Sequence, residues 1–148
     1  MTEVVKPERV YEEQVRRDGC RFCQQSWRDN ALASYGGWIA VPNERPRTDA
    51  LFIQPLYQIL FTPIDHSTER ITAAGFAAFV HLRDELIERF GLKGYGICIR
   101  EGDRLYSGQI MQHPHIHMIV PQIVTLSDGS LHASTFNFPI GDRDAPKV

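Results

Sequence analysis

Three histidines, His113, His115 and His117, stand at alternate positions within residues 107–121 (SGQIMQHPHIHMIVP). Side-chain direction in a strand repeats every second residue, so this spacing predicts a strand over 113–123 with three imidazoles on one face. Imidazoles placed in this way form either a metal site or a cluster for nucleophilic and acid–base work near neutral pH. The plainer alternative is a set of ordinary surface histidines on an exposed strand.

Two metal-enzyme patterns fail on the residues. A metallo-hydrolase pattern of the type H-x-H-x-D-H needs Asp where this chain has His117, and a metal-binding barrel of the cupin kind needs Glu soon after H-x-H. Residues 116–121 carry no carboxylate.

The rest of the chain surrounds that strand with an α+β pattern. Residues 38–41 (WIAV) read as a strand ended by Pro42 and Asn43, and residues 50–63 as a second extended region, most apolar at Ile59, Leu60 and Phe61. Phe76, Phe79, Val80, Leu86, Ile87 and Phe90 recur at the spacing of one helical face, with Thr72 as N-cap and Gly91 as stop. Further strands are predicted over 95–100 and 131–138, and a short helix over 8–17. Strand, strand, helix, strand, strand implies an antiparallel sheet with one principal helix. A length of 148 residues implies a single domain, 1–148.

Composition excludes several classes. With 16 basic and 18 acidic residues the net charge is −2, which gives no global drive toward nucleic acid or an anionic membrane, and neither is expected as a partner. No apolar run approaches the ~18 residues of a membrane span. Residues 1–14 lack the apolar core of a secretion signal, which points to a cytoplasmic protein. Three cysteines fit metal binding or a buried thiol better than a disulfide framework. Cys20 and Cys23 can present two thiolates to one ion, for which two more ligands are needed; the alternative is two reduced thiols in a loop. Asp18-Gly19 is not the strand-to-helix context of a redox C-x-x-C. Cys98 reads as a small buried hydrophobe, and Arg100, Glu101, Asp103 and Arg104 as a solvated charged loop.

His-x-His-x-His followed by apolar residues resembles the histidine triad (HIT) nucleotide hydrolases and transferases. Gln109, in Ser107-Gly108-Gln109, lies four residues before His113 as in that family. Residues 20–23 resemble its C-x-F-C, and residues 63–66 its P-x-x-H before the main helix. The resemblance covers about residues 20–123 and implies a HIT-like fold, with both termini outside the motif. It implies a structural zinc on Cys20, Cys23, His66 and His113. It makes His115 the nucleophile that forms a covalent nucleotidyl-histidine, with His117 at the phosphate or leaving group. Gln109 and the backbone around Gly108, beside Ser107, would hold the non-bridging oxygens. Phe22 would pack against the base and Asn43 would contact the ribose; a core role and a turn role are the respective alternatives. A homodimer through the main helix and a sheet edge is also implied.

Two departures bear on the reaction. Ile110 stands where hydrolase branches carry Ser or Thr. The His113-Pro114-His115 step is similar to the galactose-1-phosphate uridylyltransferase branch, whose third triad member is Gln, whereas this chain has His117. The expected function is hydrolysis of a nucleotide conjugate (dinucleoside polyphosphate, phosphoramidate or similar) at the α-phosphorus. The alternatives are a nucleotidyltransferase or phosphorylase of the same superfamily, or a zinc-stabilised nucleotide-binding module without catalysis.

Overall fold

The computed structural model describes residues 19–43, 57–66, 70–107, 113–133, 138, 140 and 141. The helix expected over 8–17, residues 50–56 of the second extended region and residues 134–137 of the last strand lie outside them. Five antiparallel strands form the main sheet: β1 (Ala33–Tyr35), β2 (Trp38–Pro42), β3 (Tyr57–Pro63), β4 (Gly96–Ile99) and β5 (Ile116–Val120). Their order in space is β1-β2-β3-β5-β4. The helices are α1 (Gln25–Arg28), α2 (Ala73–Phe90) and α3 (Arg104–Ser107), and β6 (Ile123–Thr125) pairs with β7 (Leu131–Ala133) as a separate hairpin. The class is therefore α+β, an antiparallel sheet with one principal helix.

Two expectations for the strands change. β5 begins at Ile116, not at residue 113, and ends before Pro121, so the chain from Ile123 onward joins a different sheet. Pro114 has no N–H to give a ladder, which accounts for an irregular start. β1 lies where the sequence pattern predicts no strand. It pairs with β2 from Ala33↔Ala40 to Tyr35↔Trp38 across Gly36 and Gly37, both at positive φ (58° and 77°) as a two-residue hairpin turn of the I′ kind requires.

Alternation along the strands gives the sheet two different faces. Trp38, Ala40, Ile59, Phe61, Ile116 and Met118 pack against Ala78, Phe79, Leu82 and Leu86 of α2. Ile39, Val41 and Leu60 point the other way and are covered by Phe22 and by Trp27 of α1. His117 lies opposite Leu60 on β3 and Cys98 on β4, and so belongs to this second face.

α2 is capped as its sequence implies: Thr72 Oγ1 accepts from the Gly75 N–H at 3.1 Å, and Gly91 adopts the left-handed conformation at φ 61°. Its buried stripe differs from the expected one. Gly75, Ala78, Phe79, Leu82 and Leu86 face the sheet, while Phe76 and Val80 are 39% and 38% exposed. The small residues Gly75 and Ala78 let the helix lie close to β2, which turns the larger neighbours outward. A Cβ on Gly75 would stand 2.9 Å from Trp38 Cζ2, in a ring that is itself buried. Gly75→Ala is therefore expected to lose about 1–2 kcal/mol in urea denaturation, although the same change in a free helix gains about 1 kcal/mol. A more stable variant would contradict the close approach of helix and sheet.

Candidate active site and metal cage

Three segments far apart in sequence meet on the sheet face opposite α2. One is the 3₁₀ turn Arg21–Cys23 with Cys20 before it, closed by the Cys23 N–H donating to the Cys20 carbonyl at 3.2 Å. The second is the stretch after β3 that ends at His66. The third is His113 to His115, immediately before β5.

The ligand atoms of Cys20, Cys23, His66 and His113 all lie within 4.8 Å of one another, so this group could hold a metal ion. His113 Nδ1 is 3.5 Å from Cys20 Sγ, 3.6 Å from Cys23 Sγ and 3.2 Å from His66 Nδ1, and Cys23 Sγ is 3.3 Å from His66 Nδ1. Tetrahedral coordination with metal–nitrogen and metal–sulfur bonds of about 2.0–2.3 Å has edges of about 3.3–3.8 Å, close to these four distances. The tautomer fits as well. His113 Nε2 is 2.7 Å from the Pro63 carbonyl, which can only accept. The proton therefore sits on Nε2 and the Nδ1 lone pair faces the sulfurs. Burial is the main cause that holds the His113 pKa down, opposed by the bond to Pro63. Burial and the nearby Cys23 push the Cys20 thiol up to about 11, so its thiolate needs a cation for stability.

The backbone of His113 also orients the next histidine. His115 Nδ1 donates to the His113 carbonyl at 2.8 Å, which leaves the lone pair on His115 Nε2. Burial lowers the His115 pKa to about 4, with smaller contributions from Arg100 and His113, against the raising effect of the bond to the His113 carbonyl. The ring is neutral at pH 7. Thr62, fully buried on β3, donates its hydroxyl to the Pro114 carbonyl at 2.8 Å and fastens the peptide between the two histidines. His117 lies beside His115 with ring centroids 4.9 Å apart.

The three histidines are 0%, 4% and 7% exposed, which overturns the surface reading. They also divide their work: His113 turns to the cage, while His115 and His117 stay together. Phe22 is buried in the core, the alternative role, and it also touches the histidines. Its ring is in edge contact with His115 at 4.9 Å and His113 at 5.7 Å, and it stacks on Trp27 at 4.6 Å within the core. The Asn43 N–H donates to the Gln58 carbonyl at 2.9 Å and extends the β2–β3 ladder. Ser107 is buried at the end of α3. Gly108 and Gln109 lie outside the described residues.

Other residues differ from expectation. Arg100 is buried rather than solvated, and its guanidinium lies 4.8 Å from the centre of the Phe138 ring. That ring is 4.6 Å from His117. Cys98 is half-buried opposite His117 rather than fully buried. Arg100, Phe138, Thr62 and Trp27 were not expected at the site; a tertiary contact leaves no spacing in the sequence by which to find them.

No family model matches the chain, and no curated protein does. Among solved structures, one described as a Hit Like Protein is similar at 18% identity, covering 76% of this chain and 98% of that one, with a TM-score of 0.49. A HIT family hydrolase from Clostridium thermocellum is similar at 18% identity, covering 88% of this chain and 97% of that one, also with a TM-score of 0.49.

The cage is expected to take Co2+ with the intense absorption of a tetrahedral site carrying thiolate ligands, and Cys23→Ser should weaken the sulfur-to-metal band. An octahedral spectrum in the wild type would contradict the four-ligand geometry.

Proposed function

We propose that this chain is a histidine triad nucleotide hydrolase acting in the cytoplasm, with His115 as nucleophile and a structural zinc on Cys20, Cys23, His66 and His113. The observation that carries the proposal is the fixed tautomer of His115: a buried, neutral imidazole with Nδ1–H on a carbonyl and its Nε2 lone pair free for attack. Four protein ligands leave a zinc ion no open position for substrate, so its role is structural. Cys20, Cys23 and Cys98 form no disulfide, which suits a reducing compartment.

In the first step His115 Nε2 attacks the α-phosphorus, a P–N bond forms, and the bond to the leaving group breaks. His117, entering this step as the imidazolium, gives its proton to the leaving group and is left neutral. The His113 carbonyl, already bonded to Nδ1–H, stabilises the positive charge on the nucleotidyl-imidazolium. Gln109 and the backbone at Gly108, with Ser107 next to them, hold the phosphate oxygens. Phe22 lies against the base and Asn43 near the ribose. In the second step water attacks phosphorus and gives its proton to His117, the P–N bond breaks, a nucleoside monophosphate leaves, and His115 returns to the neutral tautomer.

The test is a product assay with adenosine phosphoramidate, adenylyl sulfate, diadenosine tetraphosphate and UDP-glucose, each with and without phosphate. Release of a nucleoside monophosphate is expected, with kcat/KM falling by about 10⁴-fold or more in His115→Ala. A diphosphate formed only with added phosphate would instead identify a phosphorylase, the reading that the His113-Pro114-His115 step favours. Nucleotide binding with no turnover would leave a zinc-stabilised binding module.

A second copy of the chain is the proposed partner, covering Phe76 and Val80 on the outward side of α2. Phe76→Glu is expected to convert a dimer to a monomer in sedimentation, and a monomeric wild type would overturn this assembly.

A further inference from the structure

The ligands of the cage come from separate segments, and an ion can join them only once they stand at ligating distance. We propose that Arg28 is a positioning residue for the cage, tying the cysteine segment to the His66 segment and so setting the affinity for the ion. The inference rests on the cage taking a tetrahedral metal ion, as proposed above. Arg28 is the last residue of α1 and is half-buried. Its Nε donates to the Phe22 carbonyl at 3.2 Å, and its Nη2 donates to the Ile64 carbonyl. Phe22 stands between the two cysteines, and Ile64 stands two residues before His66. A guanidinium is planar with its N–H groups in a rigid fork, so two carbonyls bonded to it are held at a set separation.

Both bridged residues have a second anchor. The Phe22 ring stacks on Trp27 with centroids 4.6 Å apart and planes 23° from parallel, so adjacent residues of α1 hold its ring and its carbonyl. The Ile64 N–H donates to the Gly37 carbonyl at 2.8 Å, which fixes that peptide from the β1–β2 turn. His113 is held independently by the Pro63 carbonyl. Arg28 therefore supplies the link between the two remaining ligand segments, and it acts on their backbone without being a ligand.

The experiment measures zinc affinity by competition with a chromophoric chelator, together with the melting temperatures of metal-free and zinc-loaded protein. Wild type, Arg28→Met and Arg28→Lys are compared. Arg28→Met keeps most of the stem and removes both donors, and its zinc affinity is expected to fall by about 10–100-fold. The gap between loaded and metal-free melting temperatures should narrow with it, because stabilisation by a ligand grows with the logarithm of its affinity. Arg28→Lys keeps the charge without the fork and should fall between the two. A contact that merely supports the fold would lower both melting temperatures together and leave zinc affinity unchanged, and that result would overturn the proposal. Should Arg28→Met not fold, Arg28→Lys decides: zinc affinity within about twofold of wild type overturns the role of Arg28. A wild type that binds no zinc overturns the cage as well, an outcome distinct from wild-type binding that the variants retain.

Discussion

Three polar groups of His113 are engaged at once, and the site depends on them. Its Nδ1 faces the two cysteine sulfurs and His66, its Nε2 donates to the end of β3, and its own carbonyl accepts from His115 Nδ1. The residue has no exposed surface, so none of these groups can turn to water if a partner is lost. Leaving a buried polar group unsatisfied costs about 1–3 kcal/mol, more than a typical hydrogen bond contributes when made. The cysteine–histidine cluster and the His115–His117 pair are therefore one assembly. What holds the His113 ring also holds the carbonyl that fixes the tautomer of its neighbour.

The two faces of the sheet carry different groups. One face carries the apolar core against α2, and the other carries His117 in register with Leu60 and Cys98. The irregular residues before β5 cannot use a strand ladder through Pro114. Side-chain bonds take its place: Thr62 on the Pro114 carbonyl, His115 on the His113 carbonyl, and His113 on the Pro63 carbonyl. Side chains held by locked neighbours keep a set geometry better than side chains on a free loop.

Features with a local signature were legible in the sequence. The alternating histidines, the C-x-x-C and the P-x-x-H pointed to the residues that the structure gathers, and Thr72 and Gly91 end α2 where their chemistry implies. Features created by partners were not legible. β1, with the sequence Ala33-Ser34-Tyr35, has no apolar alternation of its own and exists because β2 offers it a ladder. Arg100 sits in a charged stretch that looks solvated, and only the fold brings Phe138 to its guanidinium. The buried face of α2 does not follow the spacing of its large residues, because close approach at Gly75 to Trp38 decides which side is buried. The short α1 has too few residues for a period to be read, yet Trp27 and Arg28 both act on Phe22.

The attack by His115 is tested most directly by the mass of the protein during turnover. Samples mixed with the best substrate are quenched at alkaline pH, where a phosphorus–nitrogen bond survives, and examined intact and as peptides. One nucleoside monophosphoryl group per chain, located on His115, is expected. Turnover by a protein that carries the group on another residue, or never carries it, would contradict the mechanism.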